Sequence, residues 1–353
     1  MKLLGSFKFL PRSCVGIDIG TSSLKVVELS RWGSRKSLKN YGEIQASRLY
    51  DKPFRTFEKN TLMLSSQDIA RGVRAICQEA KIETKEAVFS IPDFSSFFTY
   101  FELPAMSKEE LPQAVQYEAR KHVPLPFAEV TFDWQIIEKP VPNAKEPFKI
   151  LLVAVPNEVI NQYQEIAERS GLKLSALEAE VFGLIRSFFR DEKSPAAVLD
   201  IGAQTTTINV VWKGQLRNSH GIDIAGNGFT ERISQSLLVD FSKAQELKSQ
   251  KGLQSPDIVS ILSPLIDMIV TEVQNIAQNF EEREGARIEK IVLGGGSARM
   301  PGLKAYFEKN LAKEVEILDP FSSLFAPPLL EETLKEMGPS YAVAVGMALR
   351  GLE

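Results

Sequence analysis

The chain has 353 residues, 44 % hydrophobic and 25 % charged, the composition of a globular protein of two or three domains. Lysine and arginine number 42 against 45 acidic residues, a net charge of −3, which argues against an overall basic nucleic-acid binder. Two cysteines, Cys14 and Cys77, and two histidines, His122 and His220, exclude a disulfide scaffold and a four-cysteine zinc site, and fit a reduced, cytoplasmic compartment.

The first ten residues, MKLLGSFKFL, are basic and apolar, but Lys8 and Arg12 interrupt the run. No small-residue cleavage site precedes Val15, so the segment reads as a lead-in to the first strand. No stretch approaches the roughly 20 apolar residues of a membrane helix, so no direct membrane insertion is expected. Val15–Ile19 is a strand that turns through Gly20, Thr21, Ser22 and Ser23 into a second strand, Leu24–Leu29. Residues 65–80 place Ile69, Val73, Ile76 and Ala80 on one helical face. Ser107 and Glu110 form a capping box ahead of Leu111 and Val115. Pro140 to Pro147 is a polar, proline-rich loop. Asn157–Ser170 is a helix with Asn157 as N-cap and Gly171 as its stop. Lys193-Ser194-Pro195 reads as a hinge. A strand over 197–201 turns through Gly202, Ala203, Gln204 and Thr205 into a strand ending at Val211. Helical patterns follow over 229–248 and 259–284, then a strand at 291–293 and the run Gly294-Gly295-Gly296. Pro327-Pro328 opens a loop, and an apolar helix covers 339–349. Strands alternating with helices predict an α/β fold.

GIDIGTSSLKVVEL and VLDIGAQTTTINVV align without gaps, Asp18 on Asp200 and Gly20 on Gly202. The repeat predicts two similar half-molecules. A turn of glycine and small polar residues after a strand exposes backbone N–H groups in one concavity, which binds anions. An aspartate at the strand end repels phosphate unless a divalent cation lies between them. Magnesium suits that place, because it keeps several waters and takes one or two carboxylates plus nucleotide phosphates. Asp18 and Asp200 are therefore the candidate metal residues, acting through water. Gly20 to Ser23 and Gly202 to Thr206 are the candidate phosphate cradles. For one hairpin alone, a capped tight turn is the simpler reading; the duplication and the third glycine turn favour the nucleotide. In that third turn, Gly294, Gly295 and Gly296 let backbone approach a flat ligand, with Ser297 and Met300 following. A dinucleotide fingerprint ending at Glu316 or Asp319 is an alternative, but it leaves both Asp-Ile-Gly hairpins unexplained.

Together, Asp18-Ile19-Gly20-Thr21, Asp200-Ile201-Gly202-Ala203-Gln204-Thr205-Thr206 and Gly294-Gly295-Gly296-Ser297 resemble the two phosphate motifs and the adenosine motif of the actin-like ATPase superfamily. Order and spacing match across nearly the whole chain. The resemblance implies an actin-like, ribonuclease H-like fold of two halves, with ATP and Mg between them. The stretch from Ile224 through Gly226 to Thr230, and Ala244-Gln245-Glu246-Leu247-Lys248, resemble the loop and helix that face ribose and adenine. Here Gln245 stands where the superfamily usually has glutamate, and Gly-Ala-Gln replaces the commoner Gly-Gly-Gly of the second phosphate turn. Within the superfamily, the short lead-in, the stretch Tyr117 to Pro124 and the ending Pro339 to Gly346 resemble the PilM family of type IV pilus assembly proteins, and more distantly the FtsA family.

That resemblance implies a small α/β subdomain inserted into the first half, and 87–167 has the right length and position for it. Domain I would then comprise 1–86, 168–195 and 339–353, and the core of domain II 196–228 and 286–338, with 229–285 as its outer helical part. FtsA continues into a linker and a membrane helix, so the ending at Glu353 fits PilM better. The implied role is a cytoplasmic scaffold, at most a slow ATPase, that binds the N-terminal tail of the inner-membrane protein PilN. Other pilus assembly proteins and self-association are further implied contacts. The competing readings are an FtsA-like division protein and a sugar kinase of the same superfamily, for which no sugar site is recognisable.

Some residues stay open at this level. Lys25 suits either a phosphate contact or a plain surface lysine. Glu178 and Glu180 lie where a water-orienting group would stand, although the simpler reading makes them solvated helix residues. Phe94, Phe97, Phe98, Tyr100 and Phe101 are core of the inserted subdomain, or in part the lining of a groove for an extended peptide.

Overall fold

The computed structural model describes residues 12–48, 53–58, 61–138, 147–188 and 194–353. The lead-in, residues 140–146 of the proline-rich loop and Lys193 of the expected hinge lie outside them. The first half opens with β1 (Arg12–Ile19), β2 (Ser23–Trp32) and β3 (Arg35–Gln45), an antiparallel meander in which Asp18 faces Lys25 across the first turn. A ribbon of β4 (Arg55–Glu58) and β5 (Thr61–Leu64) leads into α1 (Ser66–Glu79). Strand β6 (Glu86–Ile91) then lies parallel to β1.

The chain leaves this sheet to form β7 (Phe97–Leu103), α2 (Leu111–His122), β8 (Val130–Glu138) and β9 (Phe148–Pro156), with strand order β7-β9-β8. It returns through α3 (Asn157–Ser170) to β10 (Lys173–Ala179), completing a five-stranded sheet of order β10-β6-β1-β2-β3. After α4 (Glu180–Phe188), the second half repeats the plan. It comprises β11 (Ala196–Ile201), β12 (Thr206–Trp212), β13 (Gln215–Ile222), α5 (Gly226–Leu237), α6 (Phe241–Gln250), α7 (Pro256–Glu284), β14 (Lys290–Gly294), α8 (Leu303–Leu311) and β15 (Glu314–Ile317). Its sheet order is β13-β12-β11-β14-β15. Each sheet thus has a central strand, two antiparallel neighbours on one side and two parallel strands on the other. The sequence repeat is the visible part of a duplicated sheet topology.

The last helix, α9 (Glu331–Gly351), packs along β1, β2 and β6 of the first half. Contact is close enough to need glycine. A Cβ on Gly16 would lie 2.0 Å from the Ala344 carbonyl oxygen, and one on Gly346 would lie 2.0 Å from the Gly183 oxygen of α4. Both faces of the central strands are covered: Val15, Ile17, Ile19, Leu24 and Val26 are buried on one, and Cys14, Val27 and Leu29 on the other, under α9.

Three local expectations change. Asn157 does not cap α3; Pro156 holds the N-cap position. The Asn157 amide instead accepts from Thr131 Oγ1 at 2.8 Å and donates to the Ala128 carbonyl at 3.0 Å, stitching α3 to the small sheet. The pattern over 229–248 is two helices, because Leu238 takes a left-handed conformation and Asp240 caps α6 by accepting from the Lys243 N–H at 2.8 Å. The small sheet spans 97–156, less than 87–167. Residues 87–91 are buried in the first sheet, and Val159, Tyr163 and Ile166 of α3 join the core of Ile17, Ile69 and Val73. The capping box does form: Glu110 N–H reaches Ser107 Oγ and Ser107 N–H reaches Glu110 Oε2 at 3.0 Å, in the turn before α2.

The aromatic run is divided by strand alternation. Phe97 and Phe101 pack with Leu111, Val115 and Ile150 in the small domain's own core, Phe101 stacking on His122. Phe98 and Tyr100 turn the other way, against a core that joins Leu151 of the small sheet to Val88 of the first sheet and Leu216 of the second. Phe94 packs on the first-half core. None of the five is an exposed anchor. At the rim, Arg217 of β13 pairs with Glu138 of β8 at 2.8 Å, and Lys149 of β9 with Glu284 of α7 at 3.5 Å. Among the described residues no helix is long and apolar enough to cross a membrane.

Candidate functional site

A cavity of about 1250 Å³ lies between the two halves. Its walls begin at the two glycine turns. The Gly20 N–H donates to the Ser23 carbonyl at 2.9 Å, and the Gly202 N–H to the Thr205 carbonyl at 3.1 Å, so equivalent bonds close both turns. Asp18 and Asp200, one residue before the end of equivalent strands, both line the cavity. The Asp18 Oδ1 accepts from Ser90 Oγ at 2.9 Å. Around them stand Gly20, Thr21, Ser22 and Ser23 from the first half and Gly202, Ala203, Gln204 and Thr205 from the second.

The far wall comes from the start of α5, from α6 and from the third glycine turn. The N–H groups of Gly226 and Asn227 donate to the carbonyls of Gly202 and Ala203, docking α5 on the second turn. Lys248 Nζ donates to the Gly226 carbonyl and to Thr230 Oγ1, each at 2.7 Å, and Gln245 Oε1 accepts from Thr230 Oγ1 at 2.7 Å. Gly295 has φ +82, and a Cβ there would lie 2.5 Å from Asp200 Oδ1. A Cβ on Gly226 would lie 2.6 Å from Ser297 Oγ. These bare backbone positions leave a slot lined by Gly226, Gln245, Lys248, Gly295, Gly296, Ser297 and Met300.

Two expected site residues stand behind the wall. Thr206 is fully buried at the start of β12, its hydroxyl donating to the Ile224 carbonyl at 2.6 Å. Gly294 ends β14 opposite Asp200. Both shape the site without lining it. Lys25 lines the cavity and is only 8 % exposed, with Nζ donating to Ser23 Oγ at 2.6 Å, so the surface-lysine reading falls. The solvated reading of Glu180 falls too. It is 7 % exposed and pairs with Arg55 Nη1 at 2.6 Å, both lining the cavity. Glu178 instead faces Arg186, accepting from Nη2 at 2.8 Å. Sequence reasoning passed over Arg55, Asn227 and Arg299. Asn227, one residue beyond Gly226, and Arg299, between Ser297 and Met300, lay inside recognised stretches; Arg55 did not.

The cavity floor is crowded with carboxylates. Burial, then the charges of Glu180 and Asp18, push Asp200 up to about 7, against the pull of Lys25 and Arg55. Burial also raises Glu180, and Arg55 offsets this in part. Behind them Asp93 is buried, with one oxygen accepting from the Val181 N–H at 3.1 Å and the other unpartnered; burial and Glu180 push it well above the carboxylate range. On the far wall, burial lowers Lys248 to about 8. Such a floor favours a cation, and oxygen donors favour a hard one. Among the described residues no three His, Cys, Asp or Glu side chains converge as a complete metal site.

The profile of the family described as type IV pilus assembly protein PilM matches residues 16–352. The chain belongs to the PilM family. Over 96 % of its length it superposes on 98 % of a chain of the solved PilM-PilN type IV pilus biogenesis complex, at 24 % identity and a TM-score of 0.81. The cell division protein FtsA of Enterococcus faecalis is 24 % identical over 345 residues, covering 84 % of this PilM-family chain and 77 % of FtsA. MreB5 of Spiroplasma citri, solved bound to ADP, superposes at a TM-score of 0.50 and 11 % identity over 96 % of this chain and 95 % of that one. The fold is that of the actin-like ATPases.

Proposed function

We propose that this PilM-family chain is a cytoplasmic, nucleotide-dependent scaffold of type IV pilus assembly. It holds ATP and Mg between its halves and binds the N-terminal tail of a PilN-like inner-membrane protein. The observation that carries the nucleotide reading is the pair Asp18 and Asp200, at equivalent strand ends on one cavity of about 1250 Å³. Mg bound there supplies positive charge between carboxylates and phosphates. The chain's own part is to cradle the phosphates on Gly20 to Ser23 and Gly202 to Thr205, and to seat the base in the slot beside Gly226, Lys248 and Gly295. Glu180 is spent on Arg55 rather than free to orient water, which favours a holder of nucleotide over a fast ATPase.

The partner reading rests on the relatedness to the PilM chain of the PilM-PilN complex. It also rests on the small sheet, whose outer strands β7 and β8 each present an edge to which an extended peptide can pair. A chain with no membrane-crossing helix among its described residues would reach the membrane through that tail.

Calorimetry tests both parts. ATP is expected to bind the parent more tightly with magnesium than with a chelator. Asp18→Ala and Asp200→Ala should lose that magnesium dependence, roughly tenfold or more in affinity, the scale of one charge-assisted contact. Both variants binding ATP-Mg like the parent would remove the shared-cation argument. Titration with a synthetic PilN-tail peptide should give saturable heat, and its absence would remove the partner reading.

A further inference from the structure

Arg55 is the strongest unassigned feature of the cleft. It opens the short β4–β5 ribbon, and the residue before it ties that ribbon to the first phosphate turn: the Phe54 N–H donates to the Thr21 carbonyl at 3.1 Å. Phe54 itself is 1 % exposed in the first-half core. Pro53 and Ser47, on the same approach, also line the cavity. Arg55 is thus a fixed neighbour of the turn carrying Ser22 and Ser23.

Its guanidinium is under-used. Nη1 donates to Glu180 Oε1 at 2.6 Å, and the planar face lies 5.4 Å from the Phe94 ring. Nε is shut off from solvent without a hydrogen-bond partner among the described residues, the guanidinium neighbouring the buried Tyr163 hydroxyl, which leaves Nη2 as the donor for the cavity. Arg55 is 8 % exposed and lines the cavity. A buried guanidinium N–H left unmade is costly, and the fork geometry of arginine suits phosphate oxygens. The other cations of the cleft are placed for different work. Lys25 is held by Ser23 and lies 3.8 Å from Glu43, Lys248 is held at the base slot by Gly226 and Thr230, and Arg299 donates to the Lys335 carbonyl.

A triphosphate differs from a diphosphate by one terminal group and its added negative charge. That group must enter the carboxylate-rich floor formed by Asp18, Glu180 and Asp200. Mg offsets the floor's charge for either nucleotide, and a fixed protein cation there adds a contact that the terminal group alone can make. We propose that Arg55 is the specificity-determining residue for nucleoside triphosphate over diphosphate, keeping Nη1 on Glu180 and offering Nη2 to the terminal phosphate. Glu180 is then a positioning residue that fixes the guanidinium plane. The inference rests on the ATP reading above and adds which phosphate is read, and by what.

The test is a calorimetric comparison of a non-hydrolysable ATP analogue with ADP, both with magnesium, on the full chain. Removing Arg55 alone strands Glu180, so the charge is removed as a pair: Arg55→Gln is made in a Glu180→Gln background and compared with Glu180→Gln itself. Arg55→Lys in the parent keeps the charge but not the fork. Thermal melts establish that each variant is folded. The parent is expected to prefer the triphosphate at least tenfold. Adding Arg55→Gln to Glu180→Gln should cut that preference about tenfold, with ADP affinity moving less than twofold. Arg55→Lys should keep part of the preference. An equal loss for both nucleotides, an unchanged preference, or a parent that binds both alike would overturn the role of Arg55 and leave the ATP site standing. A parent that binds neither nucleotide would overturn the ATP site, and this inference with it.

Discussion

Gly16→Val is expected to destabilise the protein by about 3 kcal/mol or more, a severe loss for a domain whose whole stability is ordinarily about 5–15 kcal/mol. Gly16 lies in the middle of β1, under α9. A Cβ at this position would sit 2.0 Å from the Ala344 oxygen and 2.3 Å from the Ala348 nitrogen, both backbone atoms of the helix. No side-chain rotation relieves a contact with helix backbone, so β1 and α9 must separate. α9 cannot simply shift outward, because Gly346 is pressed against the Gly183 oxygen of α4 on another side. Urea denaturation of parent and variant measures the effect. A variant within about 0.5 kcal/mol of the parent would show that the helix and sheet yield more readily than their packing implies.

The second large effect is set by pH. Lys248 is 6 % exposed, and burial brings its ammonium down to about 8. In the unfolded chain the same group keeps its proton to about pH 10.4. Below pH 8 both states carry the proton, and the folded state bears the full cost of burying it. Between about 8 and 10.4 the unfolded state holds more protons, so stability rises with pH across that window. The shift corresponds to an order of 3 kcal/mol. Lys248→Met should therefore melt above the parent at pH 7 without ligand, and its advantage should fade towards pH 10. If Lys248 also faces the ribose and base, the variant should bind ATP more weakly, the usual exchange of stability for function. Melts from pH 7 to 10 that show a constant offset would mean that the ammonium is better solvated than its burial suggests.

The hairpins were legible because their chemistry is local. Asp18 and Asp200 sit in matching strings, and although one such turn reads as a simple capped turn, its duplication points to a shared ligand. Lys25 was half legible: its place one strand residue beyond the turn was plain, but its burial depended on β3 and on the second half. Arg55 had no signal, because an arginine in a short ribbon reads as surface and its partner Glu180 lies 125 residues away. Glu180 was misread for a related reason. It opens a helix of ordinary amphipathic look, and only the assembled fold shows that six of the nine residues of 180–188 are buried and the other three half-buried. The aromatic run was read as a cluster because five rings in eight positions invite counting; alternation along β7 sends them to different cores. The edges of the inserted unit shifted because β6 and α3 carry apolar residues that suit either domain, and strand pairing decides between them.

The close fit of β1 under α9 also sets a timetable for synthesis. The first half begins at residue 12, yet its core is not closed until residues 331–351 have been made. The second sheet draws all five strands from 196–317, and most of its core lies in that contiguous stretch. The half encoded later is therefore the one able to fold first. Domains usually fold from the N-terminus as the chain emerges, and here the order is reversed, with one apolar face of β1, β2 and β6 left open until α9 is made. Pulse-labelled hydrogen exchange during refolding should show β11 and β14 protected ahead of β1 and β2; simultaneous protection would mean that the halves fold as one unit. In the cell that interval exposes Cys14, Val27, Leu29 and Val88, the apolar residues that α9 covers, to chaperones and to other nascent chains until the final helix arrives.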